Sequence, residues 1–222
     1  MIKNYALSFL IFFALSNTLA QPSLRDSLAK VLLNAKENTQ RVDILNDLAW
    51  EIKEDNPERA RQLLSEAAQL AIRLNYPKGE AQSYNNRGVL ENIHSNQEEA
   101  IAYFQKALPL REKINDQKGV SALHNNIGNA YQDQSNYIEA LAQYKKSLLI
   151  LETLQDEKRI GRVRYNIATL LEHIGNYFEA QEELFEYLKI VEKQGDKEGL
   201  AKAYTVLGHL KSELEFFAEA ED

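Results

Sequence analysis

Two series of small residues, each with a step of forty, constrain this chain more than any other feature. Gly88, Gly128, Ala168 and Gly208 stand 40 residues apart, and so do Ala60, Ala100, Ala140, Ala180 and Ala220. The register holds without an insertion, and self-similarity at such a period marks a stacked repeat array. Eleven residues lie between each small residue of the first series and the alanine that follows, enough to finish one helix and turn into the next. The turns read EDNPERA, HSNQEEA, DQSNYIEA and HIGNYFEA. Each puts Asn or Gly at the corner and an acidic residue near the start of the second helix, where turn chemistry and the positive end of the helix dipole favour them. Polar breaks at LNYPKGE, INDQKGV, LQDEKRI and QGDKEGL recur at about the same step. Each repeat therefore reads as helix, tight turn, helix and polar link.

Apolar and small positions within each helix pair fall at helical spacing. In the third repeat Ile127, Gly128 and Tyr131 share one helix and Ala140, Tyr144 and Leu148 the other. Gly128 and Ala140 are small because two helices approach closely there. Tyr144 and its counterparts Leu64, Phe104 and Leu184 fill the next layer. One helix pair cannot bury its apolar face alone, so the pairs must stack into a solenoid.

The composition suits an all-α array. Hydrophobic residues make up 44%, prolines and glycines number only four and nine, and short Val/Ile/Thr-rich strand runs are missing. The net charge of −7 argues against a nucleic-acid surface, which needs a basic stripe, and against adhesion of the repeats to an anionic membrane. With no cysteine, disulfides, thiolate zinc sites and cysteine nucleophiles are excluded. His94, His124, His173 and His209 never stand at the i, i+4 spacing of a helical zinc site. No phosphate loop or nucleophile elbow occurs, so no catalytic residue, metal or cofactor is expected within these 222 residues.

The small residue at Gly128, Tyr131 three later, Ala140 and the bulky Tyr144 resemble the signature of the tetratricopeptide repeat, over nearly all of residues 41–222. The usual unit has 34 residues, so these repeats are extended, similar to those of bacterial signalling proteins and cell-polarity scaffolds. Leu48 stands at the small position of the first repeat, Glu91 and Lys211 stand where the tyrosine belongs, and the terminal proline of the motif is absent. The resemblance implies a right-handed superhelical solenoid of antiparallel helix pairs. Its division would be 41–78, 79–118, 119–158 and 159–198 for four repeats and 199–222 for a partial fifth.

Residues 21–40 read as an N-terminal capping helix with Leu24, Leu28, Val31 and Leu32 on one side, and Trp50 as core packed against it. Ahead of it, MIKNYALSFLIFFALSNTLAQ has the pattern of a signal peptide over residues 1–20. One lysine precedes an apolar run, and small residues at Thr18 and Ala20 predict cleavage after Ala20. That implies a periplasmic or extracellular protein. At the other end, Ala220 should begin a second helix, which suggests a chain that continues past residue 222 and an open face through which two copies could pair.

In the resembled family the first helix of every pair lines a concave groove that takes a protein or peptide. Asn85 and Asn86, Asn125 and Asn126, and Tyr165 and Asn166 occupy equivalent places on those helices. The resemblance puts Asn86, Asn126 and Asn166 at the position that holds peptide backbone or carboxylate, a task for which an amide offers donor and acceptor. The alternative is an asparagine ladder that ties adjacent first helices together. Asn129, Gln82, Arg162, Lys202 and His173 are further groove candidates, Arg162 and Lys202 as a small basic spot for a carboxylate or as a solvated face. The family's carboxylate clamp needs lysine where Asn85 and Asn125 stand, so it is absent. Leader and repeats together resemble the extracytoplasmic N-terminal regions of membrane-bound sensor histidine kinases and related regulators, in which any kinase activity lies outside the repeats. A free-standing exported adaptor is the other reading.

Overall fold

Corners decide this fold. The computed structural model describes residues 23–221, with side chains to Leu214; the leader at residues 1–20 and the side chain of Ala220 lie outside the described residues. Ten helices follow one another with no strand among the described residues. They are α1 (Leu24–Asn34), α2 (Thr39–Ile52), α3 (Pro57–Arg73), α4 (Pro77–Ile93), α5 (Gln97–Lys113), α6 (Gln117–Asp133), α7 (Tyr137–Thr153), α8 (Glu157–His173), α9 (Tyr177–Gln194) and α10 (Lys197–Glu221). From α3 to α8 each helix has 17 residues. Three-residue links join them, so the chain reverses every 20 residues and repeats every 40.

Each of these links is built alike. Its second residue is left-handed at Asn75, Ser95, Asn115, Ser135, Gln155 and Gly175, and so is Gly195, the first of the two residues between α9 and α10, with φ between 50° and 79°. The N–H of the third residue returns to the carbonyl five residues back, as in Asn96 to Glu91 at 2.9 Å and Asn136 to Tyr131 at 2.8 Å. This satisfies carbonyls that the helix end would leave orphaned. Asp116, Asp156 and Asp196 then cap the next helix by accepting from the amides of Gly119, Arg159 and Gly199.

Consecutive helices pack antiparallel as the two-layer solenoid that the spacing predicts. Ala60, Ala100, Ala140 and Ala180 are fully buried, as is the layer of Leu64, Phe104, Tyr144 and Leu184 beside them. Gly128 and Gly88 are small for a steric reason: a Cβ at Gly128 would lie 2.6 Å from the Tyr144 ring, and one at Gly88 2.5 Å from the Phe104 ring. Ala168 is also fully buried.

Four expectations differ from what is found. Ala220 begins no second helix, because α10 runs unbroken from Lys197 to Glu221. The position equivalent to left-handed Ser95, Ser135 and Gly175 is Glu215, and an acidic residue in a helix-compatible run gives the chain no reason to leave the right-handed region. Gly208 consequently meets nothing within 4 Å among the described residues. In the cap, only Leu28 and Leu32 reach the core, while Leu24 and Val31 are 61% and 50% exposed. Trp50 is also exposed rather than core, with the Lys53 ammonium 4.3 Å above its ring. No helix among the described residues is long and apolar enough to cross a membrane.

Candidate partner-binding face

The first helices of the pairs touch along the array: α2 meets α4, α4 meets α6 and α8 meets α10, whereas second helices of neighbouring pairs stay farther apart. A stack pinched on one side is curved, with α2, α4, α6, α8 and α10 on the inner side.

Along that inner side the asparagines form a ladder. Asn126 donates from Nδ2 to Asn85 Oδ1 at 3.0 Å, and Asn166 donates to Asn125 Oδ1 at 3.0 Å and to Asn129 Oδ1 at 3.5 Å. Asn86 is buried and reaches back from Nδ2 to the Asn46 carbonyl at 3.4 Å. The two 3.0 Å rungs span 41 residues, one more than the repeat, which explains the doubled asparagines. The second of each pair reaches back one repeat, and the first accepts from the repeat that follows. Asn129 also accepts from the Tyr144 hydroxyl at 2.7 Å, so it braces a core ring whose hydroxyl burial pushes above its ordinary pKa. Asn126 and Asn166 still expose part of their surface, and their Oδ1 atoms have no partner among the described residues. The ladder therefore ties the helices together and leaves acceptors on the inner face.

Gln82 is engaged as well. It donates to Asn86 Oδ1 at 2.7 Å and accepts from Arg111 Nη2 at 2.6 Å, while Arg111 Nη1 holds Asp116 at 2.7 Å. His173 lies apart from the ladder, at the C-terminal end of α8, where Tyr137 of the α7 start meets its Nε2 at 2.9 Å.

Arg162 and Lys202 do come together. They line one cleft of about 450 Å³ between α8, α9 and the start of α10, with Lys158, Arg159, Asp156 and Asp196 at its rim. Tyr165 and Tyr187, with ring centres 5.2 Å apart, and Ile190 and Val191 provide its apolar surface. Lys202 is held by Glu198 at 2.6 Å and Arg159 by Asp156 at 2.5 Å. Burial alone would raise the Asp156 carboxyl, but the hydrogen bonds and charge of Arg159, with Lys118 beyond, hold it below its ordinary value. Arg162 and Lys158 have no acidic partner among the described residues. Lys158 and Tyr187 were not among the candidates read from the sequence, and Tyr165 entered there only as the residue at the place of Asn85 and Asn125. The available signal was spacing, since Lys158 stands four residues before Arg162 and Tyr165 three after it, on one face of α8. Among the described residues no cluster of His, Asp and Glu could hold a metal ion.

Residues 119–184 and 81–117 each match a tetratricopeptide-repeat family model. BtubC from P. vanneervenii superposes with a TM-score of 0.72 at 18% identity, over 89% of this chain and 82% of that one. Aspartyl phosphate phosphatase F from Bacillus subtilis gives 0.75 at 16%, over 89% of this chain and 54% of that one. A signal-transduction ATPase with a tetratricopeptide repeat sensor from Pyrococcus horikoshii gives 0.71 at 22%, over 87% of this chain and 29% of that one. At these identities the likeness carries the fold. No curated protein sequence matches.

Proposed function

We propose, from the premise that residues 81–117 and 119–184 are tetratricopeptide repeats, that this chain is an extracytoplasmic protein-binding scaffold and the sensory region of a membrane-bound signalling protein. An extended segment of the partner lies along α4, α6, α8 and α10. The observation that carries the reading is the inner face: a row of fixed, half-exposed amide oxygens at Asn126 and Asn166 beside a cleft with two unpaired cations. Such a row accepts from the backbone N–H groups of an extended chain without selecting its side chains. The leader supports export. The archaeal ATPase supports the sensory role, because in it an array of this shape is a sensor attached to a much longer chain.

Photo-crosslinking tests the binding half. A light-activated residue is placed at Asn126 or Asn166 on the inner side, and at Lys146 on the exposed face of α7 as control, and the protein is used to select from a random 12-residue peptide library. Selected peptides are expected to crosslink at 126 and 166 and not at 146; an empty selection, or crosslinking at 146 alone, overturns it. A C-terminal alkaline phosphatase fusion, active only after export, tests the other half, and the mature chain is expected to begin at Gln21. The reading frame downstream is expected to encode a membrane span and an output domain; a stop codon there would leave an exported adaptor instead.

A further inference from the structure

The second helices open on glutamate, whereas α4, α6 and α8 each add a lysine to an acidic residue in the first turn or at the cap, Glu80, Asp116 and Glu157 respectively. α3, α5, α7 and α9 open with Glu58, Glu98 and Glu99, Glu139, and Glu179. The lysines, Lys78, Lys118 and Lys158, stand 40 residues apart at the second position of α4, α6 and α8. A cation there faces the positive end of the dipole and costs roughly 0.3–1 kcal/mol. Charges placed against a local rule at equivalent points of successive repeats call for a reason outside the helix.

Two clefts supply it for Lys118 and Lys158. The first, of about 260 Å³, is lined by Gln82, Asn85, Arg111, Lys118, Ala122 and Arg159 among others. The second is the 450 Å³ cleft of α8, α9 and α10, to which Arg159 also belongs. Because both share Arg159, they form one path along the rim where the first helices begin. Six cations border it: Arg111, Lys118, Lys158, Arg159, Arg162 and Lys202. Asp116, Asp156 and Glu198 engage Arg111, Arg159 and Lys202, and Lys118 stands 3.7 Å from Asp156. Lys158 and Arg162, one turn apart on α8, have no acidic partner among the described residues, and Asp196 is the remaining carboxylate of the path. A cationic path is complementary to an acidic ligand.

We propose that the segment held on the inner face is acidic, with carboxylates on Lys158 and Arg162 and a bulky apolar side chain against Tyr165, Tyr187 and Ile190. This rests on the binding reading above and names the partner's chemistry. The tyrosine floor suits a side chain, and the interleaved Asp116, Asp156 and Asp196 oppose the unbroken charge of a nucleic-acid backbone.

The test is a parallel selection from the random peptide library on the wild-type protein and on a Lys158→Glu, Arg162→Glu variant, checked for fold by circular dichroism. Both side chains are exposed and unpaired, so the core is untouched. The wild-type pool is expected to be enriched in Asp and Glu around an apolar residue. Its best peptide should bind the variant on the order of tenfold more weakly, and weaken with added salt. A pool that crosslinks on the inner face but keeps the composition of the library, or is basic, overturns the acidic assignment and leaves the binding reading standing. An empty pool overturns both. A labelled 12-nucleotide DNA bound more tightly than any peptide also overturns the assignment. A variant that loses its helical signal is replaced by Lys158→Gln, Arg162→Gln, from which the same loss of acidic enrichment is expected; an unchanged pool overturns the proposal.

Discussion

The two halves of the array solve one packing problem with different chemistry. At the slot three residues after the close-packing position, the second repeat carries Glu91, 1% exposed, and the fourth carries Leu171, 2% exposed. Around Glu91 stand Arg61 at 3.0 Å, Arg87 at 2.6 Å and Asn96 at 2.9 Å. Around Leu171 the core runs on without a break from Ala140 to Leu210, whereas the first half divides into two smaller clusters. Every buried polar or charged side chain among the described residues lies at or before Ser147. The backbone repeat thus fixes where a side chain must be filled in, and leaves open whether oil or a satisfied ion network fills it.

Removing each filler should break the comparison most sharply. Leu171→Ala is expected to cost roughly 2–5 kcal/mol, the lost transfer energy plus a cavity. Glu91→Gln leaves two arginines facing each other and is expected to cost about 2–4 kcal/mol, somewhat below a fully buried pair because Arg61 and Arg87 keep some water. Urea unfolding against pH separates the two. Burial pushes the Glu91 carboxyl up, but the hydrogen bonds from Arg61 and Asn96 and the charges of Arg87 and Arg61 outweigh it and hold it below its ordinary value. A carboxyl lowered in the folded state gives stability that is full above its unfolded pKa, near 4.3. That stability drains as pH falls through the lowered value. Below about pH 4.3 the Glu91→Gln protein should therefore lose less than the wild type, and Leu171→Ala should run parallel to it. Parallel curves for both would show that the Glu91 network adds nothing specific to the acid response.

Next in size are the glycines. Gly128→Ala drives a Cβ to within 2.6 Å of the Tyr144 ring; overpacking of this kind costs typically 1–3 kcal/mol. Gly208 occupies the same slot two repeats on with open space around it, so Gly208→Ala should gain up to about 1 kcal/mol from helix propensity alone. Melting temperatures moving in opposite directions would support the contrast; equal losses would sink it.

This pair shows what a sequence can carry. Gly128 was legible as a contact because a small residue recurs in a helix only where a neighbour comes close, and the all-α solenoid follows from that recurrence. Gly208 obeys the same ruler and meets no neighbour among the described residues, since spacing records a position and not its occupant. Trp50 departs from expectation for a related reason: an aromatic close to Leu48 suggests core, yet one step on from the buried Ala49 turns it outward. The asparagine rungs needed three-dimensional information, because 41-residue pairing is invisible to a 40-residue ruler. Lys158 beside Arg162 is hidden in the sequence because an acidic net charge does not show where the cations gather.

Smaller effects probe the ladder. Asn166→Ala removes the rung to Asn125 and the weaker one to Asn129, with an expected loss of about 1 kcal/mol. Asn126→Ala removes the rung to Asn85 and should cost a similar amount. In both variants the far-ultraviolet helical signal should stay intact. Hydrogen exchange should rise in the first helices on either side of the missing rung. Unchanged exchange there would mean that the rungs hold nothing together and that these amides serve the inner face alone.

The smallest effect distinguishes the halves at their corners. Left-handed positions fall to Asn75, Ser95, Asn115, Ser135 and Gln155 along most of the array, and to Gly175 and Gly195 at its end. For an L-residue other than glycine this region costs roughly 1–2 kcal/mol. Asparagine lowers that cost with its own side-chain bonds, but serine and glutamine are less suited to do so. Glycine removes the strain but loses more backbone entropy on folding, so Ser95→Gly and Ser135→Gly should each gain only about 0.5–1 kcal/mol. Gly175→Ser should lose about as much. Because the strain is local, the gains at Ser95, beside the Glu91 network, and at Ser135, in front of the continuous core, should be equal. A gain at one and not the other, read from paired urea midpoints, would mean that the packing behind a corner sets its conformation. The two halves would then differ in their corners as well as in their cores.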